Sequence, residues 1–193
     1  PAPRLAPPPP APPPDIACFG TVSLALEPGA SRYAALLKNL HRDGTFIALD
    51  PNIRPFYATK AHSDFLYSLL PSVDLLKLSD EEEEFLDQPE APIKVITCGP
   101  DGLIVHFNGQ TIEVTAPTIE VADTIGAGDT VIGCLLAEIH RRTEGKNVRN
   151  KTMEFTGEDW AEIASYAARA AAVTCTRVGA NPPTRAEMEQ LPE

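Results

Sequence analysis

Apolar residues in this chain fall into two alternating textures: short solid runs, and longer stretches with apolar positions three or four residues apart. Ile16-Ala-Cys-Phe19, closed by Gly20, is the first solid run and predicts a buried strand. Pro28-Gly-Ala-Ser31 opens a helical pattern through Tyr33, Leu36, Leu37 and Leu40, stopped by Asp43-Gly44. Phe46-Ile-Ala-Leu49 predicts a second strand, which runs into the turn Asp50-Pro-Asn52. A helix through Phe65, Leu66, Leu69 and Leu70 ends at Pro71. Val73 to Leu78 reads as a third strand, and Ser79 to Leu86 as a short acidic helix capped by Ser79 or Asp80.

The second half changes texture. Ile93 to Thr97 is a fourth strand, Gly99-Pro-Asp-Gly102 a turn, and Leu103 to Phe107 its hairpin partner. Asn108-Gly109 is a two-residue hairpin turn leading to a strand over Thr111 to Val114. A long helix begins at Gly126 and runs through Leu135, Leu136 and Ile139. A basic loop follows, then a final alanine-rich helix from about Glu158 to Arg177. Strand–helix alternation followed by hairpins predicts an α/β fold, a mainly parallel sheet with antiparallel edge strands, covered by helices.

Composition sharpens this. The 193 residues, 43% hydrophobic and 22% charged, suffice for one domain with a sizeable core. Residues 1–14 stand apart, with nine of the chain's twenty prolines and one charge, Arg4. They favour extended polyproline II and read as a linker or disordered segment, with an SH3-type ligand as the functional alternative. Residues 15–193 carry the folded domain. A net charge of −11 argues against nucleic acid or an anionic membrane as partner. No apolar run approaches a membrane span of about 20 residues, and no signal-peptide pattern opens the sequence. Cys18, Cys98, Cys134 and Cys175 lie far apart, without metal-ligand spacing. They predict buried, reduced thiols in a cytoplasmic protein.

Chemistry concentrates in Val121-Ala-Asp-Thr-Ile-Gly-Ala-Gly-Asp-Thr130. Two glycines let the backbone approach a ligand closely. The helix they open offers unpaired N–H groups and the positive end of its dipole to an anion. Asp129, in the first turn, is placed to take a proton from an attacking hydroxyl while the amides hold a transferring phosphoryl group. On its own, Gly-x-Gly-Asp fits equally a tight turn with a favourable first-turn acid.

The whole string resembles the Asp-Thr-x-Gly-Ala-Gly-Asp signature of the ribokinase/PfkB family of carbohydrate kinases. The resemblance implies a ribokinase-like three-layer α/β/α core, with Asp129 as catalytic base and Gly126, Ala127 and Gly128 as the anion hole. Asp50-Pro-Asn-Ile-Arg-Pro55 resembles the motif bordering the sugar site in the fructokinase-like branch, which implicates Asn52 and Arg54 in substrate binding. Lys77-Leu-Ser-Asp-Glu-Glu82 resembles the Ser-x-x-Glu form of a further motif. It places Ser79 near the nucleotide phosphates and Glu82 near a hydrated Mg²⁺. Thr97-Cys-Gly-Pro-Asp-Gly102 resembles the nucleotide-binding turn, which implicates Thr97, Gly99 and Gly102, with Gly128, in holding ATP. Thr176-Arg-Val-Gly-Ala180 resembles the segment that closes the nucleotide site. With Asp123 and the backbone of Ile125 it implies a K⁺ site.

Gly20 to Pro28 also resembles the fructokinase pattern, so the resemblance runs from Asp15 to Pro183. It departs at Thr130-Val-Ile-Gly-Cys134, which are packing positions, and at Ala168, where relatives often carry an Asn near the adenine. Complete members also have an N-terminal part with a lid over the sugar, and the expectation is that both are missing here. Because many relatives dimerise through that lid, the oligomeric state is left open. The reading is an ATP-dependent sugar kinase, acting on fructose, with ATP and a small-molecule sugar as its partners. The alternative is a truncated or diverged non-catalytic nucleotide-binding module of the same fold. A dinucleotide-dependent dehydrogenase is disfavoured because the glycine loop lacks a third glycine and comes late in the chain.

Overall fold

The computed structural model describes residues 12–190. Six strands, β1 (Ile16–Gly20), β2 (Phe46–Asp50), β3 (Leu75–Ser79), β4 (Ile93–Thr97), β5 (Leu103–Phe107) and β6 (Gln110–Val114), form one sheet in sequence order. β1 to β4 are parallel; β5 and β6 join as antiparallel neighbours. The sequence expectation for the sheet therefore holds.

Helices α1 (Gly29–Arg42), α2 (Lys60–Tyr67) and α3 (Asp80–Phe85) are the crossovers between the parallel strands. Right-handed crossovers between successive neighbours place their helices on one face of a sheet. Accordingly Leu37 of α1 and Leu66 of α2 share a core with Ile47, Leu49, Leu76 and Leu78. The opposite face must be covered by later chain. Helices α4 (Ala127–Thr143) and α6 (Gly157–Cys175) do so, packing Leu135, Ile139, Trp160 and Ala164 on Phe46, Ala48, Leu75, Val95 and Val105. Adjacent residues of β2 thus enter different cores. This double burial is why the parallel strands read as solid apolar runs. The result is the expected three-layer α/β/α arrangement.

Several local expectations are corrected. The helix over Leu69 and Leu70 stops at Tyr67, and Leu70–Ser72 forms a 3-10 turn, because Pro71 disfavours α geometry in the residue before it. β3 begins at Leu75 rather than Val73, because Asp74 faces Ile47 differently: its side chain accepts the Ile47 N–H at 2.7 Å. The basic loop contains a helix, α5 (Val148–Met153), with Val148 and Thr152 buried. Arg149 fixes it, donating to Asp74 Oδ1 at 2.8 Å and to the carbonyls of His41 and Thr45. The alanine-rich helix is not the last: α7 (Arg185–Met188) follows, held by a Thr184–Glu187 capping box and an Arg185–Glu138 ion pair at 3.0 Å.

The cysteines are unpaired as expected, but Cys18 is exposed and the other three are half-buried. The polyproline reading of residues 1–14 falls largely outside the described residues; 12–14 carry no regular secondary structure. Among the described residues no helix is long and apolar enough to cross a membrane.

Trp160 is fully buried, with ring centroids 5.5 Å from Phe107 and 5.8 Å from Phe155. Trp160→Ala is expected to lower unfolding stability by about 3–5 kcal/mol. Urea denaturation should show this as a lower midpoint at an unchanged slope. A loss below about 1 kcal/mol would mean that the α4–α6 face is not closed over this ring.

Candidate active site

The period-two alternation of β2 and β3 continues past their apolar residues. On the face that carries Phe46 and Ala48, the next β2 residue is Asp50; beyond Leu75 in β3 it is Lys77. Both are buried near the carboxyl ends of their strands, the usual ligand end of a parallel sheet. They pair, Lys77 Nζ lying 3.2 Å from Asp50 Oδ1. Burial pushes the Asp50 carboxyl up to about 6, even though the Lys77 ammonium pulls the other way. Glu82 and Asp129 add to the upward push.

Above this pair lies the glycine loop. Gly126 is the N-cap of α4 and adopts the left-handed region, at φ 81°. A Cβ there would come within 2.8 Å of the Ala180 side chain, so only glycine fits both the backbone angle and the space. Thr130 closes the first turn, its N–H and its hydroxyl both donating to the Gly126 carbonyl at 2.8 Å. The N–H groups of Gly128 and Asp129 have no backbone acceptor among the described residues. A Cβ on Gly128 would lie 3.1 Å from Lys77 Nζ, so the loop rests on the ammonium.

Asp123 anchors the loop from behind. Its carboxylate accepts the Ile125 N–H at 3.0 Å and the Gly179 N–H at 2.9 Å. These backbone bonds hold its pKa below the usual carboxylate range. The segment around Gly179 and Ala180 thereby joins the site from the far end of the chain.

A second carboxylate ties the opposite wall. Glu82 accepts the Ser79 N–H at 2.8 Å, and the Ser79 hydroxyl accepts the Glu82 N–H at 3.2 Å, which makes Ser79 rather than Asp80 the cap of α3. The other Glu82 oxygen accepts the N–H of Ile53, across to the turn after β2. The Tyr57 hydroxyl donates to the Asn52 carbonyl in the same turn. Arg54 is exposed there, and its guanidinium makes no ion pair among the described residues.

These walls enclose a cavity of about 850 Å³, lined by Asn52, Arg54, Lys77, Ser79, Glu82 and Asp129 among others. Thr97, Ile125, Gly126 and Gly128 border it too. A second cavity of about 350 Å³ adjoins it and shares Thr97, Thr124 and Gly128. Its walls are apolar, with Leu103, Val131 and Ala168, and Gly99, Gly102 and Ala127 at the rim. The sequence-derived residues thus gather around two connected cavities, with Asp123 behind the loop. Missing from that set were Asp50 and Lys77. The available signal was a charge at each inward position of two otherwise apolar strands. Among the described residues no group of three or more His, Cys, Asp or Glu forms a metal cage.

Several known proteins resemble this chain. Residues 15–187 match the family model described as pfkB family carbohydrate kinase. A probable fructokinase-5 of Arabidopsis thaliana is 27% identical over 191 residues, covering 90% of this chain and 56% of that protein. The chain spans about half the length of the first curated relatives it matches. Among solved structures, an uncharacterized sugar kinase from Pyrococcus horikoshii superposes with a TM-score of 0.77 at 24% identity, over 92% of this chain and 57% of that one. A fructokinase from Xylella fastidiosa with bound ATP also gives 0.77, at 20% identity, over 86% and 56% of the two chains.

The Asp123 clamp has a pH signature. A carboxylate whose pKa is depressed by folding stabilises the structure above its unfolded pKa, and that contribution is lost as pH falls through the folded value. Hydrogen exchange at the Gly179 amide, corrected for intrinsic rate, should stay protected at neutral pH and lose protection below about pH 4. Asp123→Ala should raise exchange at Ile125 and Gly179 at least about tenfold at neutral pH, with unchanged protection in β4 and β5. Equal protection in the variant would mean that something else holds the loop.

Proposed function

We propose that this chain, which belongs to the pfkB family of carbohydrate kinases, carries the centre for transfer of the ATP γ-phosphoryl group to a sugar hydroxyl, with fructose as acceptor. The observation that carries the reading is the position of Asp129. It lines the polar cavity in the first turn of α4, next to Gly128, which lines both cavities. An adenine ring suits the apolar cavity, its walls small enough at Ala168 and Ala172 to admit a flat base. The phosphates then run past Thr97, Gly99, Gly102 and Ser79 towards the N-terminus of α4. There the N–H groups of the Gly126–Gly128 loop and the helix dipole meet the charge of the transferring group.

The sugar occupies the polar cavity, against Asn52 and Arg54. Its hydroxyl oxygen attacks phosphorus as its proton passes to the Asp129 carboxylate; the bond from phosphorus to the bridging oxygen breaks, and ADP leaves. Arg54, without an ion-pair partner among the described residues, is available to an anionic group in this acidic chain.

Divalent metal supplies charge neutralisation of the phosphates. Both oxygens of Glu82 already accept backbone N–H groups, which leaves their remaining lone pairs for water rather than direct metal contact. That donor set suits a Mg²⁺ that keeps its waters and arrives with the nucleotide. A K⁺ beside Asp123 and the Ile125 carbonyl would share a carboxylate whose two oxygens are similarly engaged. Fructose rests on the Asp50–Pro55 and Gly20–Pro28 motifs and on relatives named fructokinases at 25–28% identity.

A second reading is a nucleotide-binding module of the same fold without turnover. An ADP-release assay with ATP, Mg²⁺ and fructose, run beside calorimetry, separates the two. Asp129→Asn should lower turnover by about 10²–10⁴-fold while nucleotide affinity stays within about twofold. Turnover unchanged in the variant removes Asp129 from the mechanism; nucleotide binding without turnover on any hexose favours the module.

A further inference from the structure

We propose that Lys77 is a direct ligand of the transferring phosphoryl group, and that Asp50 is a positioning residue holding its ammonium at the cavity floor until that anion arrives. This rests on the phosphoryl-transfer reading above and assigns chemistry to a pair that reading does not use.

Burial comes first. A lysine is almost never buried unless paired, and a buried ion pair is commonly no more stabilising than apolar residues of the same volume. Stability alone therefore gives little reason for Asp50 and Lys77, both 6% exposed, to interrupt two apolar strands. Their geometry is also loose. Nζ reaches the two Asp50 oxygens at 3.2 and 3.4 Å, whereas a charge-assisted bond is usually about 2.7–2.9 Å. One acceptor group shared at long range leaves an ammonium with three N–H donors incompletely satisfied.

Position comes second. Nζ lies against Gly128, the middle of the anion-binding turn, and the side chain lines the same cavity as Asp129. The acidic groups lining that cavity are Asp50, Glu81, Glu82 and Asp129; the cations are Arg54 and Lys77. Arg54 is on the exposed rim, so Lys77 is the buried positive charge at the point where proton acceptor and phosphoryl group must meet. Bringing an anion there without it would place like charges together at low dielectric. When the terminal phosphoryl group enters, the Lys77 ammonium moves from shared contact with Asp50 to a phosphoryl oxygen, without a change in covalent bonding.

The test is calorimetric titration of the purified chain with Mg²⁺–ADP and with a Mg²⁺-bound non-hydrolysable ATP analogue. Lys77→Met should weaken the analogue at least about tenfold while ADP stays within about twofold, since only the analogue carries the terminal phosphoryl group. Asp50→Asn should act in the opposite direction and tighten the analogue, because it frees the ammonium; a merely structural pair would weaken both nucleotides in both variants. The double variant Asp50→Asn with Lys77→Met leaves no unpaired buried charge, so it remains informative should Lys77→Met alone fail to fold. It should bind the analogue as weakly as Lys77→Met. If the wild-type chain binds both nucleotides and neither Lys77 variant loses the analogue, the assignment of Lys77 is wrong and the wider reading stands. If the wild-type chain binds neither, the phosphoryl-transfer reading fails and the Lys77 assignment with it.

Discussion

A parallel strand covered on both faces offers no solvent to a charged side chain along its length, and this governs how the site is built. In β2 and β3 every position up to Asp50 and Lys77 is buried in one of two apolar cores. Charge is tolerated only towards the carboxyl ends, and only with a partner, because an isolated buried ion is too costly. The same alternation that sends Ile47 and Leu49 towards α1 and α2 sends Asp50 towards α4. The sheet's packing rule thus delivers an ion pair to the spot where the glycine loop of α4 comes down.

What sits around that pair is irregular backbone, and irregular backbone has no ladder to fix it. Two carboxylates take over the task. Glu82 joins the turn after β2 to the start of α3, and Asp123 joins the start of the glycine loop to Gly179. Each binds two main-chain N–H groups from segments distant in sequence. Arg149 does the corresponding work at the other end of the sheet, gathering carbonyls from α1 and the loop before β2 around Asp74. The cavity walls are therefore set by a few polar side chains, while the sheet beneath is set by apolar area.

This division explains what was legible in the sequence. Period and punctuation located all six strands, five from local apolar runs and β6 from the Asn108-Gly109 turn before it. The glycine loop was legible because its residues are contiguous, although its anchor at Gly179 is remote. Other features were hidden because their causes are remote. Residues 148–153 look like a basic loop until Arg149 finds Asp74, 75 positions earlier. Glu82 looks like part of a solvated acidic run until the Ile53 N–H reaches it, and the partnership of Asp50 with Lys77 depends on the register between β2 and β3. Ser79 over Asp80 as cap, by contrast, was a choice between neighbours that only the capping box decides.

The reach of Asp123 to Gly179 spans 56 positions, and it sets an order of events during synthesis. As the chain leaves the ribosome, β1 to β4 and their three crossover helices emerge before α4 and α6, and these elements by themselves bury only one face of the sheet. The other face, with Phe46, Ala48, Leu75 and Val95, stays bare until α4 and α6 have followed. Through that interval a nascent chain presents a wide apolar surface, the kind of intermediate that chaperones recognise. The glycine loop gains its rear anchor later still, when Gly179 arrives, so this end of the cavity is fixed after the sheet beneath it.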